Sequence, residues 1–220
     1  MAVKIEAGAG LYIKDPLTSP LGKQIIAGSI ELIDQLGFEQ FTFRKLANHI
    51  DSTEASVYRY FENKHKLLLY LNSWYWAWMD YRLDLATANI ASAKERLKIA
   101  LEMLTQQVET DNQIGHVNET LLHRIIINES SKAILTKSVD AVNKEGAFND
   151  YKRVVERLSE MVLEINPEYK YPRMLISTVI EGAHLERFFA AHLPRLTNTI
   201  EGEDAICEFF KSMVAKTIDQ

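Results

Sequence analysis

Apolar residues along most of this chain recur at three- and four-residue intervals. No segment alternates apolar and polar positions between turn signals, so the pattern predicts helices throughout. The first starts at Ser19, a candidate N-cap, with Pro20 at the first helical position, where a missing N–H costs nothing. Ile25, Ile26, Ile30, Ile33 and Leu36 form its apolar face, and Gly37 sits at its C-terminal cap. Thr42 caps a short second helix through about Ile50, Asp51, Ser52 and Thr53 make a turn, and Thr53 caps a third helix to about Tyr60. Asn63 starts a long fourth helix carrying Trp74, Tyr75, Trp76 and Trp78. Beyond it the spacing predicts helices over 93–110, 117–130, 144–165, 172–193 and 202–218, with Pro167 and Pro194 ending two of them. Ile176 to Phe189 is apolar nearly all round, as in a helix buried inside a domain or against a partner subunit. The last helix has a single stripe: Ile206, Phe209, Phe210, Met213 and Val214.

Helices of about eight residues do not persist alone in water, because nucleation is costly. The second and third hold only if another helix shares their core. Ile26, Ile30 and Ile33 can meet Phe43, Leu46, Ala47, Val57 and Phe61. Three helices with a tight turn between the last two is the helix-turn-helix arrangement, whose third helix enters the DNA major groove.

Composition narrows the classes. The 220 residues are 47% hydrophobic and 25% charged, an ordinary globular balance. No apolar run is long enough to span a bilayer, and the N-terminus does not read as a secretory leader, so the expected setting is cytoplasmic, with no membrane partner. Cys207 is the only cysteine, which excludes an intramolecular disulfide. The net charge of −5 is uneven: residues 1–70 hold eight basic and eight acidic side chains, and residues 71–220 hold seventeen and twenty-two. The N-terminal part is therefore free to approach an anion. No glycine-rich phosphate loop, Gly-x-Ser-x-Gly elbow or paired-cysteine motif is present, so neither an enzyme nor a cofactor is expected. His116, Glu119 and His123 share one helical face and Glu181 and His184 form an i, i+3 pair. A bundle metal site needs such pairs from several helices, so these read as core or surface residues and no metal is expected.

The stretch "IIAGSIELIDQLGFEQFTFRKLANHIDSTEASVYRYFENKHKLL", Ile25 to Leu68, resembles the N-terminal domain of the TetR family of bacterial transcriptional regulators. In register are Gly37-Phe38, Thr42-x-Arg44-x-Leu46-Ala47, and Tyr58-x-Tyr60-Phe61 followed by Lys64 and Leu67-Leu68. The remainder matches only in helical character and length. The resemblance places Tyr58 and Lys64 at phosphate contacts. Thr42 and Thr53 would present backbone N–H groups at helix starts to phosphate, and Arg44 and Arg59 suit phosphate or a guanine edge. Glu54, Ala55 and Ser56 open the recognition helix and become the expected readers of bases. Two positions depart from the family pattern: Asp51 replaces the usual turn glycine, and Glu54 replaces a lysine or small residue.

The resemblance implies an all-α chain in two parts: a helix-turn-helix domain over 19–66 and a helical ligand-binding and dimerisation bundle over 67–220. An arm over 1–18 precedes them, and it reads equally as disordered, DNA-touching or packed through Leu11, Tyr12 and Ile13. Trp74, Trp78, Met103, His116, Leu122 and His123 are candidates to line an effector pocket, and each also serves as ordinary core. The expected function is a homodimeric, ligand-responsive repressor that binds a palindromic operator in double-stranded DNA. The dimer would form through 172–193 and 202–218, with Gly182-Ala183 allowing close approach. The alternative, motivated by Asp51 and Glu54, is a helical dimer of the same fold that has lost specific DNA binding and holds a small molecule or protein.

Overall fold

The structure, a computed structural model, describes residues 10–108 and 117–219. Among the described residues it is all-α, with one isolated bridge between Ile200 and Glu203. The helices are α1 Pro20–Leu36, α2 Phe43–His49, α3 Glu54–Tyr58, α4 Lys64–Thr87 and α5 Ala93–Thr105. They continue as α6 Glu119–Ile134, α7 Val139–Lys144, α8 Asn149–Ile165, α9 Pro172–His192 and α10 Ala205–Ile218. Single 3-10 turns occupy Pro16–Thr18 and Pro194–Leu196.

Four of the helices beyond α4 differ in their bounds from the periodicity, and the one expected over 93–110 ends at Thr105. The helix expected over 144–165 begins only at Asn149, because Gly146 takes a φ of +89° and separates it from α7, a short helix the spacing does not predict. That left-handed value suits a residue without Cβ. The helix expected over 117–130 begins after Asn118, whose side chain caps the Leu121 N–H at 3.0 Å, and continues four residues further to Ile134. α10 starts at Ala205 because the Asp204 carboxylate accepts from the Cys207 N–H at 3.1 Å.

The chain forms two compact units. The first comprises 1–78 and 108–150, the second 79–107 and 151–220, and α4 contributes to both. In the first, Ile25, Ile26, Ile30 and Ile33 are buried together with Phe43, Leu46, Ala47, Val57 and Phe61, the set the spacing predicts. Fully burying each large apolar side chain contributes roughly 1.5–3 kcal/mol, enough to hold helices too short to stand alone. Gly28 permits the close crossing of α1 and α2, since an added Cβ would lie 2.6 Å from Cγ2 of Ile50.

Residues 10–18 pack onto this unit. Leu11 is buried, Tyr12 meets Tyr70 edge-on at 5.9 Å, and the Ile13 N–H donates to the Tyr60 carbonyl at 2.8 Å. Ser19 and Tyr60 hydroxyls lie 2.7 Å apart, so Tyr60, at the end of the helix-turn-helix, is joined to this strap by backbone and side chain.

In the second unit, Arg157 donates to the buried Asp80 at 2.8 Å and to Asp84 at 2.9 Å. Arg187 of α9 bonds the Thr105 carbonyl at the end of α5 and both carboxylate oxygens of Asp204 before α10. Cys207 is buried, and burial pushes its thiol pKa up. Gly182 does make a close approach, but within the chain: a Cβ there would meet the Phe210 ring at 2.9 Å. α9 buries Leu175, Ile176, Val179, Ile180 and Ala183, while its other side is uncovered, with Met174 67% and Leu185 51% exposed.

Candidate DNA-binding surface

The three-residue turn closes around Asp51, which sits at φ +50°, and the Ser52 N–H returns to the Ala47 carbonyl at 2.8 Å. Aspartate thus occupies the left-handed position where glycine carries less strain. α3 is short. Val57 and Tyr60 turn inward, while Glu54, Ala55, Tyr58 and Arg59 are exposed and Ser56 is half-buried. Tyr58 is 48% exposed and packs edge-on against Phe43 at 5.0 Å. That contact fixes its ring at the junction of α2 and α3.

Thr42 and Thr53 each cap one N–H of the helix start that follows. The Thr42 hydroxyl accepts the Lys45 N–H at 3.2 Å and the Thr53 hydroxyl accepts the Ser56 N–H at 3.2 Å. Their observed role is to set where α2 and α3 begin. Arg44 projects beside them, exposed, as do Arg59, Asp51 and Glu54, and none of these four is in an ion pair among the described residues. The surface therefore carries two free guanidinium groups and two free carboxylates.

Lys64 has partners within the chain. Its ammonium donates to the carbonyls of Phe38 at 3.0 Å, Glu39 at 3.1 Å and Phe41 at 3.3 Å, and lies 4.7 Å from the centre of the Phe38 ring. The three donors are committed to the turn between α1 and α2. From the other side, the Glu129 carboxylate of α6 accepts the Phe38 N–H at 3.0 Å. Arg124 of α6 grips Asp34 through two bonds of 2.8 and 2.7 Å. Glu129, Asp34 and Arg124 were not legible locally, since about ninety residues separate the partners and neither motif nor spacing marks them.

The pocket candidates divide. Trp74, Trp78, Leu122 and His123 are buried in the first unit, where the two indoles stack with centroids 6.4 Å apart. The Tyr75 hydroxyl lies 2.9 Å from His123 Nδ1, and the Ser73 hydroxyl donates to the buried Asp150 at 2.5 Å. Met103 belongs to the second unit and is half-buried; His116 lies outside the described residues. Glu181 accepts from the Tyr151 hydroxyl at 2.7 Å, and no three His, Cys, Asp or Glu gather as a metal site among the described residues. No helix there is long and apolar enough to cross a membrane.

Residues 25–71 match the family model of bacterial regulatory proteins of the tetR family. The fatty acid degradation regulator FadR from Bacillus halodurans shares the fold with a TM-score of 0.59 and 16% identity, over 91% of this chain and 95% of its own. AibR in complex with isovaleryl coenzyme A and operator DNA aligns with a TM-score of 0.51 and 18% identity, over 88% of this chain and 97% of its own. The superantigen PfiT aligns with a TM-score of 0.58 and 12% identity, over 90% and 97%. Such identities establish the shared fold alone. No curated protein matches in sequence.

Proposed function

From residues 25–71, an N-terminal domain of the tetR family of bacterial regulatory proteins, we infer that the chain is a dimeric, sequence-specific DNA-binding regulator of transcription. It works in the cytoplasm as a ligand-responsive repressor. The observation that carries this reading is the split of α3, with Val57 and Tyr60 in the core and Glu54, Ala55, Tyr58 and Arg59 outward. Arg44, Tyr58 and Arg59 hold phosphate. Glu54, Ala55 and Ser56 read base edges, with carboxylate to cytosine N4 and methyl to thymine methyl as the available pairings. Thr42 and Thr53 act through the helix starts they cap.

Support for a dimer comes from the uncovered side of α9 together with α10, where Met174, Leu185 and Phe209 are exposed. Such large apolar groups favour cover by a second copy. A two-fold pair of recognition helices then reads a palindromic operator. The domain assignment, 19–66 for DNA and 67–220 for effector and dimer, rests on the same resemblance. An effector near Trp74, Trp78, Leu122 and His123 would release DNA by favouring a different dimer geometry. That requires unequal affinity for the two states. AibR, with an acyl coenzyme A and operator DNA on this fold, supports pairing the two activities here.

Selecting bound fragments from the host genome with wild-type protein and with Arg44→Ala/Tyr58→Ala tests the reading. A palindromic site recovered only by the wild type supports it. Recovery of no preferred sequence favours the alternative, a binding module of the same fold to which Asp51 and Glu54 point.

A further inference from the structure

The turn between α1 and α2 is held from two sides. From α4, Lys64 collects three carbonyls, those of Phe38, Glu39 and Phe41. From α6, Glu129 takes the Phe38 N–H, and its other oxygen lies 2.6 Å from Lys132. Gly37, at φ +76°, ends α1 immediately before, and the Thr42 cap opens α2 immediately after. Whatever fixes residues 37–41 therefore fixes where α2 starts and where Arg44 points. An ammonium has three donors on one atom and suits carbonyls converging on a point; a guanidinium spreads its donors over a flat fork.

We propose that Lys64 and Glu129 are positioning residues for the DNA-contacting face of α2, and that Lys64 itself does not touch phosphate. The proposal rests on the DNA-binding reading above. It assigns α6, which lies outside the helix-turn-helix sequence, a direct part in presenting that face. Asp34–Arg124 ties the same helix to α1 one turn earlier.

A phosphate contact and a positioning residue differ in what they change. Losing a phosphate contact weakens binding to all sequences and lowers the slope of log affinity against log salt by about 0.9. Losing position weakens the operator alone. The experiment measures affinity for the selected operator and for a scrambled duplex across several salt concentrations. Wild type is compared with Lys64→Met, Lys64→Arg, Glu129→Leu and Glu129→Gln. Lys64→Met is expected to weaken operator binding about tenfold, leaving the scrambled duplex and the salt slope unchanged. Lys64→Arg fails similarly despite its charge. Glu129→Leu loses operator affinity, and Glu129→Gln, which still accepts from the Phe38 N–H, restores most of it.

Three results overturn the proposal: a slope lowered by about 0.9 in Lys64→Met, full operator affinity in Lys64→Arg, or no change in Glu129→Leu. If Lys64→Met does not fold, Lys64→Arg and the Glu129 pair decide. If the wild type binds no operator, the DNA reading fails separately. Amide exchange at Phe38, faster in Glu129→Leu but not in Glu129→Gln, then tests the clamp on the free protein, and equal exchange in both overturns it.

Discussion

Arg187→Met removes the group that joins three helices of the second unit. The guanidinium donates to the Thr105 carbonyl from Nε at 3.0 Å and from a terminal nitrogen at 2.6 Å. That same nitrogen lies 2.7 and 2.5 Å from the Asp204 oxygens. Thr105 is the last residue of α5 and Asp204 is the cap of α10, so one side chain on α9 closes both ends. Methionine keeps an apolar stem and leaves the carbonyl and carboxylate without their cation. Hydrogen bonds to charged groups contribute about 1.5–3 kcal/mol each. Water reaches Asp204 and recovers part of its share, and that carboxylate keeps its bond to the Cys207 N–H. The expected loss is about 3 kcal/mol, or a fall in Tm of about 6–12 °C for a chain of this size. Thermal and urea unfolding followed by far-ultraviolet circular dichroism reads it. Arg187→Lys recovers only a minor part, since a point charge cannot serve both acceptors in the same geometry. A loss below about 0.5 kcal/mol, the size of an ordinary surface change, would refute the argument.

Other perturbations test other links. Gly22→Ala places a Cβ 2.1 Å from the Pro16 carbonyl oxygen, so it should dislodge the strap, seen as faster amide exchange at Ile13; unchanged exchange would mean the strap is not held there. Asp51→Gly relieves the left-handed aspartate and should raise stability by about 0.5 kcal/mol while tightening DNA binding through loss of a negative charge. A destabilised variant would show that Asp51 is not strained. Burial, with help from Arg187, lowers the His184 pKa to about 4. The unfolded chain, titrating near 6.5, then binds more protons than the fold between these values. Stability should hold above that range and fall as pH drops through it, by about 2 kcal/mol between pH 7 and 5. Urea unfolding at the two pH values checks this, and an equal fall in His184→Gln would assign it elsewhere.

Much of the fold was legible because it rests on local patterns. Ser19, Thr42 and Thr53 announced three helix starts, and the isoleucines of α1 announced the face that buries against α2 and α3. Gly146 was harder, because a lone glycine inside an apolar rhythm does not reveal its φ. Motif register identified α3 and its exposed face, but register assigns a lysine a neighbourhood and not a partner. Lys64 could reach phosphate or carbonyls from one sequence position, and the three carbonyls it meets at 37–41 become visible only in the folded turn. Glu129 and Arg124 carried no signal at all, since their partners lie on α1 and the turn after it, and pairing across that distance follows from tertiary packing alone. At Gly182 the sequence announces room for a close approach, and within the chain the Phe210 ring takes it.

The central claim is sequence-specific DNA binding through α2 and α3, and the most direct measurement compares affinity for the genomically selected fragment with a scrambled duplex at one fixed salt concentration. The expected ratio is about a thousand or more, and it collapses when Arg44 and Tyr58 are replaced by alanine. Equal affinity for the two duplexes would contradict it.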